Sequence, residues 1–258
     1  ESVIIDTREE HSSELIDSAK NQNIQIKFSH AVIAANGYKK VKSAQIGKLN
    51  KDKTKFENSE IIECDCICVS GFWTPTVHLA SQSGNKLKFN NLIDAFVPDK
   101  SKQKETSIGA SKGTFTLKET LAEGFKTGFD LSKNITNNNN STSIPNSNET
   151  KKSLHDKFWC SPLPKGKNYK RFVDFQNDVA VSDIEVALRE GYRSIEHVKR
   201  YTTLGMATDQ GRTSNLNGLQ LVANVEKKIV PQVGHTTFRP PFTPITIGTI
   251  VGREVDME

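Results

Sequence analysis

The sequence predicts an α/β region with an antiparallel meander over its first half, followed by a small all-α domain. Three observations carry this. Short β-branched runs flank one amphipathic stretch near the start, and polar turn-forming segments separate the runs that follow. Late in the chain, apolar residues recur at three- and four-residue spacing between capping residues and glycines.

Val3-Ile4-Ile5 has the pattern of a short buried strand. Glu9 to Gln22 fits a helix with Leu15, Ile16 and Ala19 on one face, and Ile24 to Phe28 reads as the next strand. Ala31 to Ile33 and Val41 to Ile46 flank Asn36-Gly37, a strong hairpin dipeptide. The polar run Lys48 to Lys55 makes a second turn before a strand over Ile61 to Val69. This order is that of a partial Rossmann-type pyridine-nucleotide oxidoreductase domain, expected over 1–130. Asp6 ends the first strand, where such folds place an acid on ribose hydroxyls; alternatively Asp6 or Thr7 caps the next helix.

Cys64, Cys66 and Cys68 form a C-x-C-x-C string, which reads either as a metal site or as small apolar groups. A strand would set alternate thiols about 6–7 Å apart on one face, a poor fit to tetrahedral ligation. Buried, inert thiols are therefore expected, and with Cys160 they argue for a reducing compartment.

Two later segments carry candidate chemistry. Ser70-Gly-Phe-Trp-Thr-Pro75 follows a strand's carboxyl end, where α/β proteins build ligand crevices. Ser107-Ile-Gly-Ala-Ser-Lys-Gly113 runs into a helix, Leu117 to Phe125. Its two glycines would let backbone amides approach a phosphate at a helix N-terminus; glycines before helices also occur with no such role.

Further on, Ser182-x-x-Glu185 reads as a capping box for a helix carrying Ile184, Ala187 and Leu188 and ending at Gly191. Ser194 caps a second helix that stops near Gly205, and a third begins at Ser214. Between the last two, Lys199, Arg200 and Arg212 with several hydroxyls and two glycines suit a phosphoryl group or a solvated turn equally.

Composition marks the boundaries. Hydrophobic residues are 35% of the 258, and mean hydropathy is −0.52, which indicates a folded chain carrying a long polar segment. That segment is Asn134 to Asn148, with seven asparagines in 15 positions, expected as part of a linker over 131–155. Lys151 to Arg171 holds seven basic residues and one acid, while the whole chain is only +5. The aromatics of this stretch, Phe158, Trp159 and Tyr169, are not interleaved as a nucleic-acid stacking platform needs, so a solvated connector against an acidic partner is the better reading. The mild charge of +5 and this pattern give no nucleic-acid partner, and with no apolar run of about 18 residues no membrane partner is expected. With no signal-like start, a cytoplasmic location is expected. Both ends read as cut inside strands, the last being Thr243 to Val251.

Four strings now bring a family into view: Phe172-Val-Asp-Phe-Gln-Asn-Asp-Val179, Ser194-Ile-Glu-His-Val-Lys-Arg-Tyr-Thr-Thr203, Gly205-Met-Ala-Thr-Asp-Gln-Gly-Arg-Thr-Ser-Asn215 and Pro231-Gln-Val-Gly-His-Thr-Thr-Phe-Arg-Pro-Pro241. With Ser70-Gly-Phe-Trp-Thr-Pro-Thr-Val-His-Leu79 they resemble the α subunits of heterotetrameric sarcosine oxidases, over nearly the whole chain except the Asn-rich segment. The helical region, 156–235, also resembles the small two-iron ferredoxin domain of related dehydrogenases. In that resemblance the four cysteine-ligand positions are Asp174, Gln176, Asp209 and Ser214. Soft thiolates are absent from all four, so no iron–sulfur cluster and no metal is expected.

The resemblance implies an enzyme component, alone inactive, of a complex that oxidatively demethylates sarcosine to glycine with oxygen. Hydrogen peroxide and formaldehyde, or methylenetetrahydrofolate, would be the other products. It implies NAD in this subunit, FMN at an interface with a β subunit, FAD within β, smaller γ and δ partners, and tetrahydrofolate in a domain that 236–258 would begin. No catalytic residue is expected here. Ala110, Phe115 and Leu117 are the implied NAD contacts. Lys199, Arg200, Thr202, Thr203, Gln210, Gly211, Thr213 and Ser214 are the implied FMN contacts. Other readings are a cofactor-binding subunit of another flavin-dependent amino-acid or amine dehydrogenase, or a non-catalytic assembly scaffold.

Overall fold

The strand signal at Val3-Ile4-Ile5 is realised as β1 (Val3–Asp6), which pairs in parallel with β2 (Gln25–Phe28), register Val3↔Gln25 to Asp6↔Phe28. This computed structural model describes residues 2–71, 73–136, 143–145, 147, 157–240, 243 and 245–252. The chain folds as two units: Glu1–Gly71 with His155–Arg171, and Phe72–Leu154 with Phe172–Glu258. The division at Gly71 falls within the 1–130 segment.

In the first unit, α1 (Glu14–Asn21) joins the two parallel strands. It starts later than its apolar pattern predicts because Ser13, not Asp6 or Thr7, caps it: the Ser13 hydroxyl accepts from the Ile16 N–H at 3.3 Å. Ile16 and Ala19 are its buried face, whereas Leu15 is exposed. A meander of β3 (His30–Gly37), β4 (Val41–Leu49) and β5 (Phe56–Glu63) follows, antiparallel throughout and ordered β3-β4-β5. Its first turn is at residues 38–40, because Gly37 is still paired, with Val41. Its second turn is organised by Asn50, whose side-chain oxygen accepts from the N–H groups of Thr54 (2.8 Å) and Lys55 (3.0 Å). Ala31, Ala44, Ile46 and Leu49 make its core. The strand expected over Ile61 to Val69 ends instead at Glu63, so the three cysteines lie in irregular chain.

The second unit opens with the short α2 (His78–Gln82) and a hairpin of β6 (Leu87–Asn90) and β7 (Ala95–Pro98). A single 3₁₀ turn, Gly109–Ser111, leads to α3 (Leu117–Thr136), far longer than the Leu117 to Phe125 read from sequence. Most of the Asn-rich linker lies outside the described residues. A second hairpin, β8 (Phe172–Asp174) and β9 (Val179–Ala180), then leads into the helices α4 (Val181–Arg189), α5 (Ile195–Thr202), α6 (Asn215–Glu226) and α7 (Val230–Val233).

The α4 cap differs from the Ser182 box. The helix starts at Val181, and the Asp183 carboxylate reaches back to the Ala180 N–H at 2.8 Å. An acid three residues into the helix suffices here without a hydroxyl at the cap. Ile184, Val198, Leu204 and Val222 are wholly buried, so this helical core is drier than that of the sheet unit. The closing stretch forms a short helix, α8 (Ile247–Val251), capped by Thr246, rather than the expected strand. Among the described residues no helix is long and apolar enough to cross a membrane.

Candidate functional site

The four ferredoxin-ligand positions come together as a network of oxygen and nitrogen donors. Asp174, at 2% exposure, is its hub. One carboxylate oxygen accepts from the N–H groups of Gln176 (2.9 Å) and Asn177 (3.3 Å); the other accepts from the Gly205 N–H (2.8 Å) and the Ser214 hydroxyl (3.4 Å). The Gln176 side-chain oxygen accepts from the Thr208 hydroxyl at 3.1 Å and the Asp209 N–H at 3.4 Å. Asp209 in turn accepts from the Gly211 N–H (3.1 Å) and from the N–H (3.3 Å) and hydroxyl (2.9 Å) of Thr213. The donor set is therefore hard and already internally engaged. It does not fit a two-iron cluster, which needs thiolate sulfur.

Asn215 locks the loop that this network shapes. Gly205 and Gly211 both have left-handed backbone, φ +64 and +73, and a Cβ on either would lie 2.0 to 2.2 Å from the Asn215 side chain. Only glycine allows that approach. The Asn215 amide donates to the Gln210 carbonyl at 3.4 Å, which also accepts from His78 Nε2 at 3.3 Å. That nitrogen must therefore carry the proton, since a carbonyl only accepts. Burial holds the His78 pKa below the usual histidine range, against the opposing pull of that carbonyl bond, so the ring is neutral at pH 7. Its ring lies 4.0 Å from that of Phe238. His78, Phe238, Gly211 and Asn215 line a cavity of about 90 Å³ with Pro75, Phe96 and Thr236.

The cationic edge is built by α5. Lys199 is 7% exposed, and its ammonium donates to the Thr237 carbonyl at 3.3 Å. Burial lowers its pKa; Glu196 opposes this, while Arg239 and Arg200 reinforce it. Arg200 is exposed and 3.8 Å from Glu196, which also accepts the Thr237 N–H at 2.6 Å. Of the remaining implied FMN residues, Thr202 donates to the Val198 carbonyl at 2.8 Å and Thr203 is an exposed left-handed cap, φ +63. Gln210 donates to the Ala207 carbonyl at 3.0 Å. Gly211 is buried, Thr213 faces Asp209, and Ser214 is fully buried against Asp174. Arg239, Asn215, Thr236 and His78 were not singled out by sequence reasoning. Gly205 and Gly211, each close before Asn215, were the one legible sign of the lock.

The glycine-rich segment has a second geometry. Glu123, nearly two turns into α3, accepts from the Gly109 N–H (3.0 Å) and pairs with Lys112 (2.9 Å). Burial opposes ionisation, but bonds from Lys112, the Gly109 amide and Thr114 outweigh it and hold the Glu123 pKa below the usual glutamate range. A carboxylate of this chain thus takes the place where an anion was expected. Of the implied NAD residues, Ala110 and Leu117 are exposed and Phe115 is half-buried around this loop. Asp6 is bound to Arg8, from its N–H (2.9 Å) and guanidinium (2.7 Å).

Among solved structures, the chain is similar to the L-proline dehydrogenase from P. horikoshii, at TM-score 0.63 and 17% identity over 98% of this chain and 50% of that one. That likeness shows the fold class alone, a mixed α/β chain. Residues 168–253 match the family model described as the sarcosine oxidase A3 domain. Sarcosine oxidase α subunits from Rhizobium meliloti (strain 1021) and Corynebacterium sp. (strain P-1) are 35% and 32% identical, over 75% and 85% of this chain. The chain belongs to the sarcosine oxidase α-subunit family. It spans 20% to 23% of the length of these relatives.

Proposed function

We propose that this chain is the cofactor-housing middle portion of a sarcosine oxidase α subunit, working with a partner β subunit in the oxidative demethylation of sarcosine to glycine. Oxygen would be reduced to hydrogen peroxide, with formaldehyde or methylenetetrahydrofolate as the one-carbon product. The carrying observation is the buried Lys199 ammonium, set beside Arg200 and Arg239 with Glu196 as the counter-charge. An ammonium removed from water and crowded by two guanidiniums is stabilised by an incoming anion.

In this reading Lys199 and Arg200 hold the phosphate of FMN at the interface with β, and FMN when bound supplies electron passage to oxygen. Thr202, Thr213 and Ser214 act by positioning, because their hydroxyls are engaged with Val198, Asp209 and Asp174. The loop around Ala110, Phe115 and Leu117 contacts NAD. There Glu123 repels phosphate and suits the ribose hydroxyls, whose O–H groups it can accept. FAD and the smaller γ and δ subunits belong to the rest of the complex, and tetrahydrofolate to a domain beyond this chain.

Co-expression with a β subunit, followed by a flavin spectrum of the purified complex, tests the reading. The expected result is a flavin band that requires both chains and falls at least tenfold in a Lys199→Ala, Arg200→Ala double variant that still co-purifies with β. Unchanged flavin content in that variant would reject it.

A further inference from the structure

The three cysteines of the C-x-C-x-C string lie past the end of β5, and their arrangement differs from the strand geometry that argued against a metal. Cys66 and Cys68 are both exposed, and their sulfurs are 3.8 Å apart. A tetrahedral centre with metal–sulfur bonds of about 2.3 Å separates two of its sulfurs by roughly 3.8 Å. The chain thus holds the two thiols at the bite of a chelate, with no movement of the backbone required.

We propose that Cys66 and Cys68 form a two-thiolate site for a thiophilic cation of the Zn²⁺, Cd²⁺ or trivalent-arsenic class. Among the described residues no group of three or more His, Cys, Asp or Glu side chains converges on one point, so the remaining coordination positions belong to water or a ligand of another molecule.

The probe reaction is balanced without redox change. A monosubstituted arsine oxide, R–As=O, forms two As–S bonds with two thiols; both S–H protons leave with the oxygen as one water, and arsenic stays trivalent. The test uses the full 258-residue chain under reducing conditions, with phenylarsine oxide and, separately, Cd²⁺. One equivalent of the arsenical should bind and map by peptide mass to the segment holding Cys66 and Cys68. Cd²⁺ should give a thiolate charge-transfer band, with affinity falling roughly 100-fold or more in Cys66→Ser or Cys68→Ser. Cys160→Ser should leave both unchanged. Mapping of the arsenical to Cys160, or Cd²⁺ affinity within about threefold of the original in both single variants, would overturn the assignment. Because the two thiols are exposed, the serine variants should keep the original circular dichroism spectrum, and the peptide map of the unaltered chain stands independently of them.

Discussion

Asp174→Ala is the sharpest probe of the helical domain. The substitution leaves two buried donors without an acceptor, the Gly205 N–H and the Ser214 hydroxyl, and two more at a turn that water can reach. Each buried unsatisfied donor costs about 1–3 kcal/mol, so the expected loss is about 4 kcal/mol. For a chain of this size, 1 kcal/mol corresponds to about 2–4 °C in Tm, so melting should fall by roughly 8–16 °C. Asp174→Asn keeps the shape and one acceptor oxygen, and should lose about half as much. The assay is thermal unfolding followed by the helical circular dichroism signal. A Tm for Asp174→Ala within about 2 °C of the original would refute the hub argument, because it would mean that the buried donors find other partners.

Further outcomes test separate parts of the structure. Gly211→Ala should cost about 2–4 kcal/mol through left-handed strain and collision with Asn215, whereas Gly191→Ala, where φ is +97 but no neighbour lies within 4 Å, should cost about 1 kcal/mol, both read from chemical unfolding. Glu123 has a folded pKa below its unfolded one, so its contribution is present above the ordinary glutamate pKa and is lost as pH falls through the folded value. Stability measured against pH should therefore drop more steeply in acid for the original chain than for Glu123→Gln. Lys199→Met should raise stability by about 1–2 kcal/mol at neutral pH by removing a buried charge, and added inorganic phosphate should raise the Tm of the original chain but not of this variant. Leu204→Ala, at a wholly buried site against Gly218, should cost about 3 kcal/mol in the same unfolding assay.

What could be read from sequence followed periodicity. The β1–α1–β2 order, the meander, and helices α5 and α6 were legible from apolar spacing, but the cap expected of Ser194 is not made, nor does Ser214 make one: neither side chain bonds a helix N–H, and the Ser214 hydroxyl turns to Asp174 instead. The errors arose where a side chain found a partner that spacing does not reveal. Asp6 looked like a cap or a ribose acid, but Arg8 lies two residues away and forms an ion pair with it. Cys66 and Cys68 were expected as buried along a strand, yet pairing with β4 stops at Glu63 and leaves them exposed. Asn36-Gly37 has the composition of a turn, but the ladder continues through it to Val41. At the site, the four ligand positions and the cationic string were visible as residue types. Their mutual bonding through Asp174, and the wedging of Asn215 between two glycines, depend on residues 30 to 40 positions apart, or on missing Cβ atoms, which no local pattern encodes.

The oxygen-based closure around Asp174 also bears on how such a subunit matures. A scaffold bound through thiolates and iron reaches its final shape only when metal is delivered, and loses it to chelators or oxidants. Here the same turns are joined by protons already on the chain, so the helical domain can take its shape during synthesis, ahead of any cofactor. Loss of iron then has no purchase on these four positions, whose bonds are made by the chain itself.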